Sequence, residues 1–395
     1  MTNDTGTVRA RALFPRPFLL SAVFAVLATL LFAEIVPRYA PGLLRFEHAL
    51  GDVRTAYLAD QLPSQHPHVA IVSITDETLK DNKVRQPIDR GLLARLVDAI
   101  DAAGAKVIGI DVLLARTPPP DNEAMLIDAL KRAKARIVLA AADARIDLPK
   151  AHFDQQEKLF AAIGRPAGYI NFATERDWVI RFKAQPQAGS RYPKSFAATL
   201  TENFGIKADQ EHRRIAWLRQ PLDHSDTFLT IPAEILLKAP DARSQNLRAG
   251  LKNKIVIIGG LFPDIDRHLT PLTGAANELQ PGAVIHAHIA AEMVDGRHIT
   301  QLETDSLALK LALLVVAAIA FLIGWRFRLT SQGLLLGSLA TIAIILVDTF
   351  VFWKWRIILP IVLALLAWFL SEFTGRYIGK WLGPRDAGRS RWFVK

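Results

Sequence analysis

Four stretches of 17 to 20 residues carry almost no charge: 18–36, 307–325, 333–352 and 357–373. Each is long enough to cross a hydrocarbon core of about 30 Å as a helix. A chain built this way is not expected to be a soluble enzyme, a disordered segment or a small cross-linked scaffold. Composition agrees: hydrophobic residues make up 51%, mean hydropathy is +0.20, and there is no cysteine.

Charge sets the expected topology. Between Arg38 and Asp305 there are 34 Lys and Arg against 33 Asp and Glu; the remainder has 14 against 5. The basic excess therefore flanks the apolar stretches, which argues against a nucleic-acid surface, where Lys and Arg would cover one face of a folded domain. Arg9, Arg11 and Arg16 precede the first stretch. Arg326 and Arg328 follow the second, and Arg376, Lys380, Arg385, Arg389, Arg391 and Lys395 follow the fourth. With four crossings these groups share one side, and positive-inside bias makes that side the cytoplasm. Lys354 and Arg356 run against the bias, so the two tails decide the orientation. The expected division is a tail at 1–17, a span at 18–36, an outside domain at 37–305, spans at 307–325, 333–352 and 357–373, and a basic tail at 374–395. The first stretch exceeds an ordinary signal-peptide core and lacks a small-residue cleavage site, so an uncleaved anchor is favoured. The expected location is a bacterial inner membrane with the main domain periplasmic or extracellular.

Residues 68–298 alternate strand and helix. Runs such as 68–74 (HVAIVSI), 106–114 (KVIGIDVLL), 136–141 (RIVLAA) and 254–259 (KIVIIG) are apolar on both faces. Residues 91–103 repeat apolar positions at three and four, with Asp89 placed to cap them. Further helices are expected at 121–135, 195–204, 231–238 and 284–294. Residues 167–172 and 179–183 read as a strand pair across a polar turn. The fold class is an α/β domain with a mainly parallel sheet covered on both sides, plus four transmembrane helices, one before and three after.

Several runs together resemble the type-2 CHASE sensory domain, the cyclase and histidine-kinase associated extracellular sensor. They are ITDETL (74–79), PIDRGLLARLVDAIDAAGAKVIGIDVLL (87–114), GYINF (168–172), DWVIRF (177–182) and SFAATL (195–200). IPAEILL (231–237), LKNKIVIIGG (251–260), the D-x-x-x-TPL run at 266–272 and PGAVIHAHIAAEMVDGR (281–297) continue the match. It covers roughly residues 45–300. The resemblance implies an extracytoplasmic sensor between one leading and three trailing spans. Two departures stand out. The family's Asp-Gly step is Asp177-Trp178 here. Members also usually continue into a cytosolic kinase or cyclase domain, whereas about 20 residues follow the fourth span, so output is expected from a separate protein.

Ligands of open α/β sheets bind at the carboxyl ends of the strands. Asp76, Asp111, Asp264, Asp266 and His268 fall there. Such a set suits a polar ligand or a hard cation; the structural alternative is that Asp76 and Asp264 cap turns and Asp111 bonds to backbone. His286 and His288, two apart, point in different directions on a helix and make poor co-ligands. Asp52 and Arg54 either pair with the domain body or form a solvated helix face. Glu34, Lys310, Asp348 and Arg356 lie at similar depth near the outer ends of the spans and suggest a charge ring, with Lys310–Asp348 its sharpest pair. No nucleophile elbow, phosphate loop, dinucleotide fingerprint or zinc spacing is present. The leading expectation is a non-enzymatic membrane sensor, with no cofactor predicted, the bilayer and a signalling protein as partners, and self-association compatible with it. An envelope metal-dependent hydrolase and a structural membrane assembly are the alternatives.

Overall fold

The structure, a computed structural model, describes residues 16–80, 85–115, 120–209, 211–238, 242–276, 278–302, 305–327 and 330–382. Arg9, Arg11, Arg328, the 116–119 part of the proline loop, and Arg385, Arg389, Arg391 and Lys395 lie outside the described residues. Two compact units are formed. One is Asp52–Thr300; the other is made of the flanking segments, up to Gly51 and from Gln301.

The first unit is built on six parallel strands: β1 Val69–Ile74, β2 Val107–Asp111, β3 Arg136–Ala141, β4 Ala167–Tyr169, β5 Leu229–Pro232 and β6 Ile255–Gly260. Their order is β4-β3-β2-β6-β1-β5. All six residues of β1 are buried, as expected of a strand covered on both faces. Successive side chains alternate between two cores. Ala70, Val72 and Ile74 pack with helices α1 (Arg90–Ala102), α2 (Pro120–Arg132) and α3 (Lys150–Ile163), while Val69 and Ile71 pack with α4 (Phe196–Phe204) and α5 (Gly282–Asp295). Asp89 caps α1 by accepting from the Leu92 N–H at 2.7 Å. Ser195 caps α4 through the Ala198 N–H at 3.1 Å. A Cβ on Gly168 would stand 2.7 Å from the Phe196 backbone, so only glycine lets α4 seat this closely on β4.

Three elements differ from the expected ones. Residues 167–172 are not one strand: Ala167–Tyr169 is the sheet edge, and Phe172–Thr174 turns away to pair with Ile180–Lys183. Helix α3 lies between Pro149 and Gly164, where no helix was expected. The expected 231–238 helix shortens to Ala233–Leu237, because Leu229–Pro232 joins the sheet. Trp178, at the family's glycine position, holds a left-handed backbone at φ 62° and is exposed. The turn is therefore kept with tryptophan in it, at a cost of about 1–2 kcal/mol.

Among the described residues, the second unit contains four helices long and apolar enough to cross a membrane: Leu19–Tyr39, Leu307–Phe327, Ser331–Trp355 and Ile361–Lys380. The first opens into a π turn at Leu31–Ile35, just ahead of Pro37. Proline has no N–H to donate and its ring crowds the carbonyl four residues back, which is a recognised cause of such irregularity. The last helix starts at Ile361 rather than 357, because Ile357–Ile358 is extended. Its first free N–H groups, Ile361 at 2.9 Å and Val362 at 2.7 Å, donate to the buried Glu47 carboxylate. Cβ atoms on Gly324 and Gly375 would collide with the Glu372 and Phe321 carbonyls, so these helices meet backbone to backbone. Arg376, assigned from sequence to the basic tail, is instead buried in this bundle. It pairs with Glu372 and donates to the Gly333 carbonyl at 2.9 Å.

Candidate functional site

Strands β2 and β6 end side by side, with Asp111 in register with Gly259. Two glycines allow close packing at this edge. A Cβ on Gly259 would strike the Ala283 Cβ of α5, and a Cβ on Gly282 would strike the Asp266 carboxylate. Asp266 takes a left-handed backbone, φ 55°, which aspartate tolerates better than most residues. Its Oδ2 accepts from the Gly282 N–H at 3.1 Å, so it caps the start of α5. His268 Nε2 lies 2.8 Å from Asp266 Oδ1.

Asp111 and Asp266 line one cavity of about 310 Å³. Its walls include Pro87, Ile88, Val112, Leu113, Phe262 and Ile265, and its other polar groups are Gln86 and His152. Burial and the neighbouring Asp266 charge push the Asp111 carboxyl up to about 8. Burial alone would raise Asp266 too. The His268 hydrogen bond and charge, the His286 charge and the Gly282 N–H outweigh it and hold Asp266 below the ordinary carboxylate range.

The five acidic-edge positions thus divide. Asp111, Asp266 and His268 form one group at the cavity. Asp76 and Asp264 form another, both held by Arg85, at 2.7 and 2.8 Å. Arg85 adjoins Gln86 of the cavity wall and lies 5.7 Å above the Phe262 ring. Among the described residues, no three His, Asp or Glu side chains stand together in metal-binding geometry. Asp111 makes none of the backbone bonds considered for it among the described residues. His286 is a buried interior histidine, packed 4.6 Å from the Phe172 ring centre, and burial pulls it down to about 4.

Sequence reasoning missed Arg85, His152 and Phe262. Nothing local flags Arg85, whose partners lie 9 and 179 residues away. His152 sits on the unexpected helix α3. Phe262, two residues past the glycine pair ending β6, had a readable signal: a large apolar side chain at a strand's carboxyl end. A second cavity of about 780 Å³ lies against β1 and α5, but both of its arginines are already engaged. Arg219 donates to the Ala59 carbonyl, and Arg267 donates to the carbonyls of Phe262 and Leu279.

Asp52 does pair with the domain body. Its carboxylate takes the Arg181 Nη2 donor at 2.6 Å and the Arg214 Nη2 donor at 3.3 Å. Arg181 also donates to Glu175 and Asp177, at 2.6 and 2.7 Å.

Of the four charges near the outer span ends, Lys310 meets Glu34 at 2.5 Å, rather than Asp348. Glu34 lies in the π turn, which re-aims it. Asp348 is buried, and Arg356 turns back to donate to the Trp353 carbonyl at 2.9 Å. Coupling is therefore expected between Glu34 and Lys310. In a double-mutant cycle with Glu34→Gln and Lys310→Met, thermal unfolding in detergent should show about 1 kcal/mol of interaction. Additive losses would mean that the pair is incidental.

A model of the CHASE2 domain matches residues 23–325. No curated protein and no solved structure matches the chain.

Proposed function

The chain belongs to the CHASE2 domain family, a family of extracellular sensory domains, and from that premise we propose that it is a membrane-anchored extracytoplasmic sensor. Its input is a small ligand taken into the cavity beside Asp111 and Asp266. Its output passes through the membrane helices to a signalling protein. The observation that carries this reading is the cavity, lined mostly by apolar residues with a few polar groups among them, at the carboxyl edge of a parallel sheet, where such folds take ligands. The chain leaves the α/β unit for the membrane-length helices at both ends, after Thr300 and before Asp52, so a change in that unit has two covalent routes to the bilayer.

The experiment compares wild type with Leu113→Trp, which fills the cavity from its wall. Full-length protein in detergent is screened by thermal shift against a panel of cationic, anionic and neutral small molecules. Compounds that stabilise the wild type and not the variant support the reading. Identical responses, with both proteins unfolding cooperatively, contradict it.

The bacterial inner membrane, with Asp52–Thr300 outside the cytoplasm, follows from the charge partition. Reporter fusions should give cytoplasmic signal at Lys395 and external signal near Arg145. An external signal at Lys395 would reverse the orientation.

A further inference from the structure

The cavity at the strand ends is asymmetric in its chemistry. At about 310 Å³ it lies at the small end of the range of ligand pockets. Most of the wall is aliphatic or aromatic. The polar side chains are two carboxylates, Gln86 and His152, and only one of the carboxylates is satisfied. Asp266 has the Gly282 N–H and His268. Asp111 accepts no hydrogen bond from any described residue, although it stands at the end of a buried strand. The buried Nδ1 of His152, another lining residue, also has no partner among the described residues. A carboxylate facing an apolar enclosure is costly unless it meets a proton or a cation. Arg85, next to Gln86 of the wall, does not serve it, because it is committed to Asp76 and Asp264.

We propose, resting on the reading of this cavity as the input site, that its ligand is a small organic cation. An ammonium or amidinium head donates to Asp111 and Asp266, and an apolar or aromatic body lies against Pro87, Ile88, Val112, Leu113 and Phe262. The charge-assisted hydrogen bonds supply selectivity for the head, and the wall supplies contact area for the body.

This assignment has a pH signature. Besides Asp266 and His152, the titratable and charged groups around Asp111 are His268 and His286, both beyond Asp266, and Arg85 beside Phe262. With Asp111 raised to about 8, about half of the molecules carry its carboxylate at pH 8 and about one in a hundred at pH 6. A cation that needs the carboxylate should bind about 50-fold more tightly at pH 8 than at pH 6 and release a proton on binding. An uncharged ligand of the same shape should not gain.

Three probes share one body and differ in the head: 2-phenylethylammonium, 2-phenylethanol and phenylacetate. Their binding is measured by isothermal titration to the full chain in lipid nanodiscs at pH 6 and pH 8, in two buffers of different ionisation enthalpy. The ammonium is expected to bind best, to tighten with pH and to release a proton. Asp111→Asn should weaken it by about 10- to 100-fold, Asp266→Asn should weaken it independently, and Leu113→Trp should remove binding of every probe. If the alcohol or the carboxylate binds as well as the ammonium, or if ammonium binding ignores both carboxylate variants, the cation assignment falls while the cavity stands as the input site. If none of the probes binds and Leu113→Trp is indistinguishable from wild type, the input-site reading falls as well.

Discussion

Asp111→Asn is expected to stabilise the protein at alkaline pH, by about 2–4 kcal/mol at pH 8. The Asp111 carboxyl moves from an ordinary 3.8 to about 8 on folding. Between those values the folded chain keeps a proton that the unfolded chain has released. Stability therefore falls as pH rises from about 4 to about 8, then levels off. Each unit is worth about 1.36 kcal/mol, so the full span would approach about 6 kcal/mol; solvent reaching the cavity trims it. Asparagine has nearly the same shape and cannot ionise, so the decline should vanish. An opposite trend acts on the acid side. Burial pulls His286 down to about 4 and His288 to about 3. The unfolded chain binds these protons near pH 6.5 and the folded chain does not, so stability falls as pH drops below 6.5. The wild type should be most stable near pH 6.5. Asp111→Asn should keep the acid decline and lose the alkaline one, as read by chemical denaturation of full-length protein at pH 5, 6.5 and 8. A variant that is less stable than wild type at pH 8 would show that Asp111 is ionised and paired in the folded protein.

The second large effect is expected at Arg181. Its guanidinium is almost fully buried and is shared by Asp52, Glu175 and Asp177. The Asp52 carboxylate also serves the buried Arg214. Removing one member leaves charges out of water with fewer partners. Arg181→Met should therefore cost about 3–5 kcal/mol. Asp52→Asn should cost somewhat less, because asparagine still accepts one hydrogen bond. The double variant should cost less than the sum of the two, since both break one network. The pH dependence carries a sign. The Arg181 hydrogen bond holds the Asp177 carboxyl below its ordinary value. That contribution is present above about pH 4 and is lost as pH falls through the folded value. Arg181→Met should remove this part of the acid sensitivity. Strict additivity in denaturant titrations would contradict a single network.

How much of this could be read from the chain differs by element. The central strands were legible because burial on both faces leaves an unbroken apolar run: β1 and β6 fall within a residue of the expected ends, while β2 stops at Asp111, three residues before the expected end at 114. Edge strands were harder. Leu229–Pro232 includes a proline and has only one fully buried residue, so it read as the start of a helix. Helix α3 has most of its apolar residues in its last five positions and buries the polar Gln156, so its periodicity is weak. At the site, Asp111 could be found because a carboxylate inside an apolar strand is conspicuous. The capture of Asp76 and Asp264 by Arg85 could not, since an ion pair between distant segments leaves no local pattern. Glu34 was visible as an acid in a span, but its partner depended on the π turn before Pro37. Glu372 and Arg376 are four apart on one helix, a spacing that lets them pair. Counting Arg376 as a tail charge hid that signal.

Hydrogen exchange tests the central claim most directly. Full-length protein in lipid nanodiscs is compared with and without a compound that stabilises it in the thermal-shift panel. Slowed exchange is expected at the strand-end segments 86–88, 110–113 and 260–266, which line the cavity. Slowing confined to 218–220 and 226–230, along the larger cavity, with the strand-end segments unchanged, would contradict it.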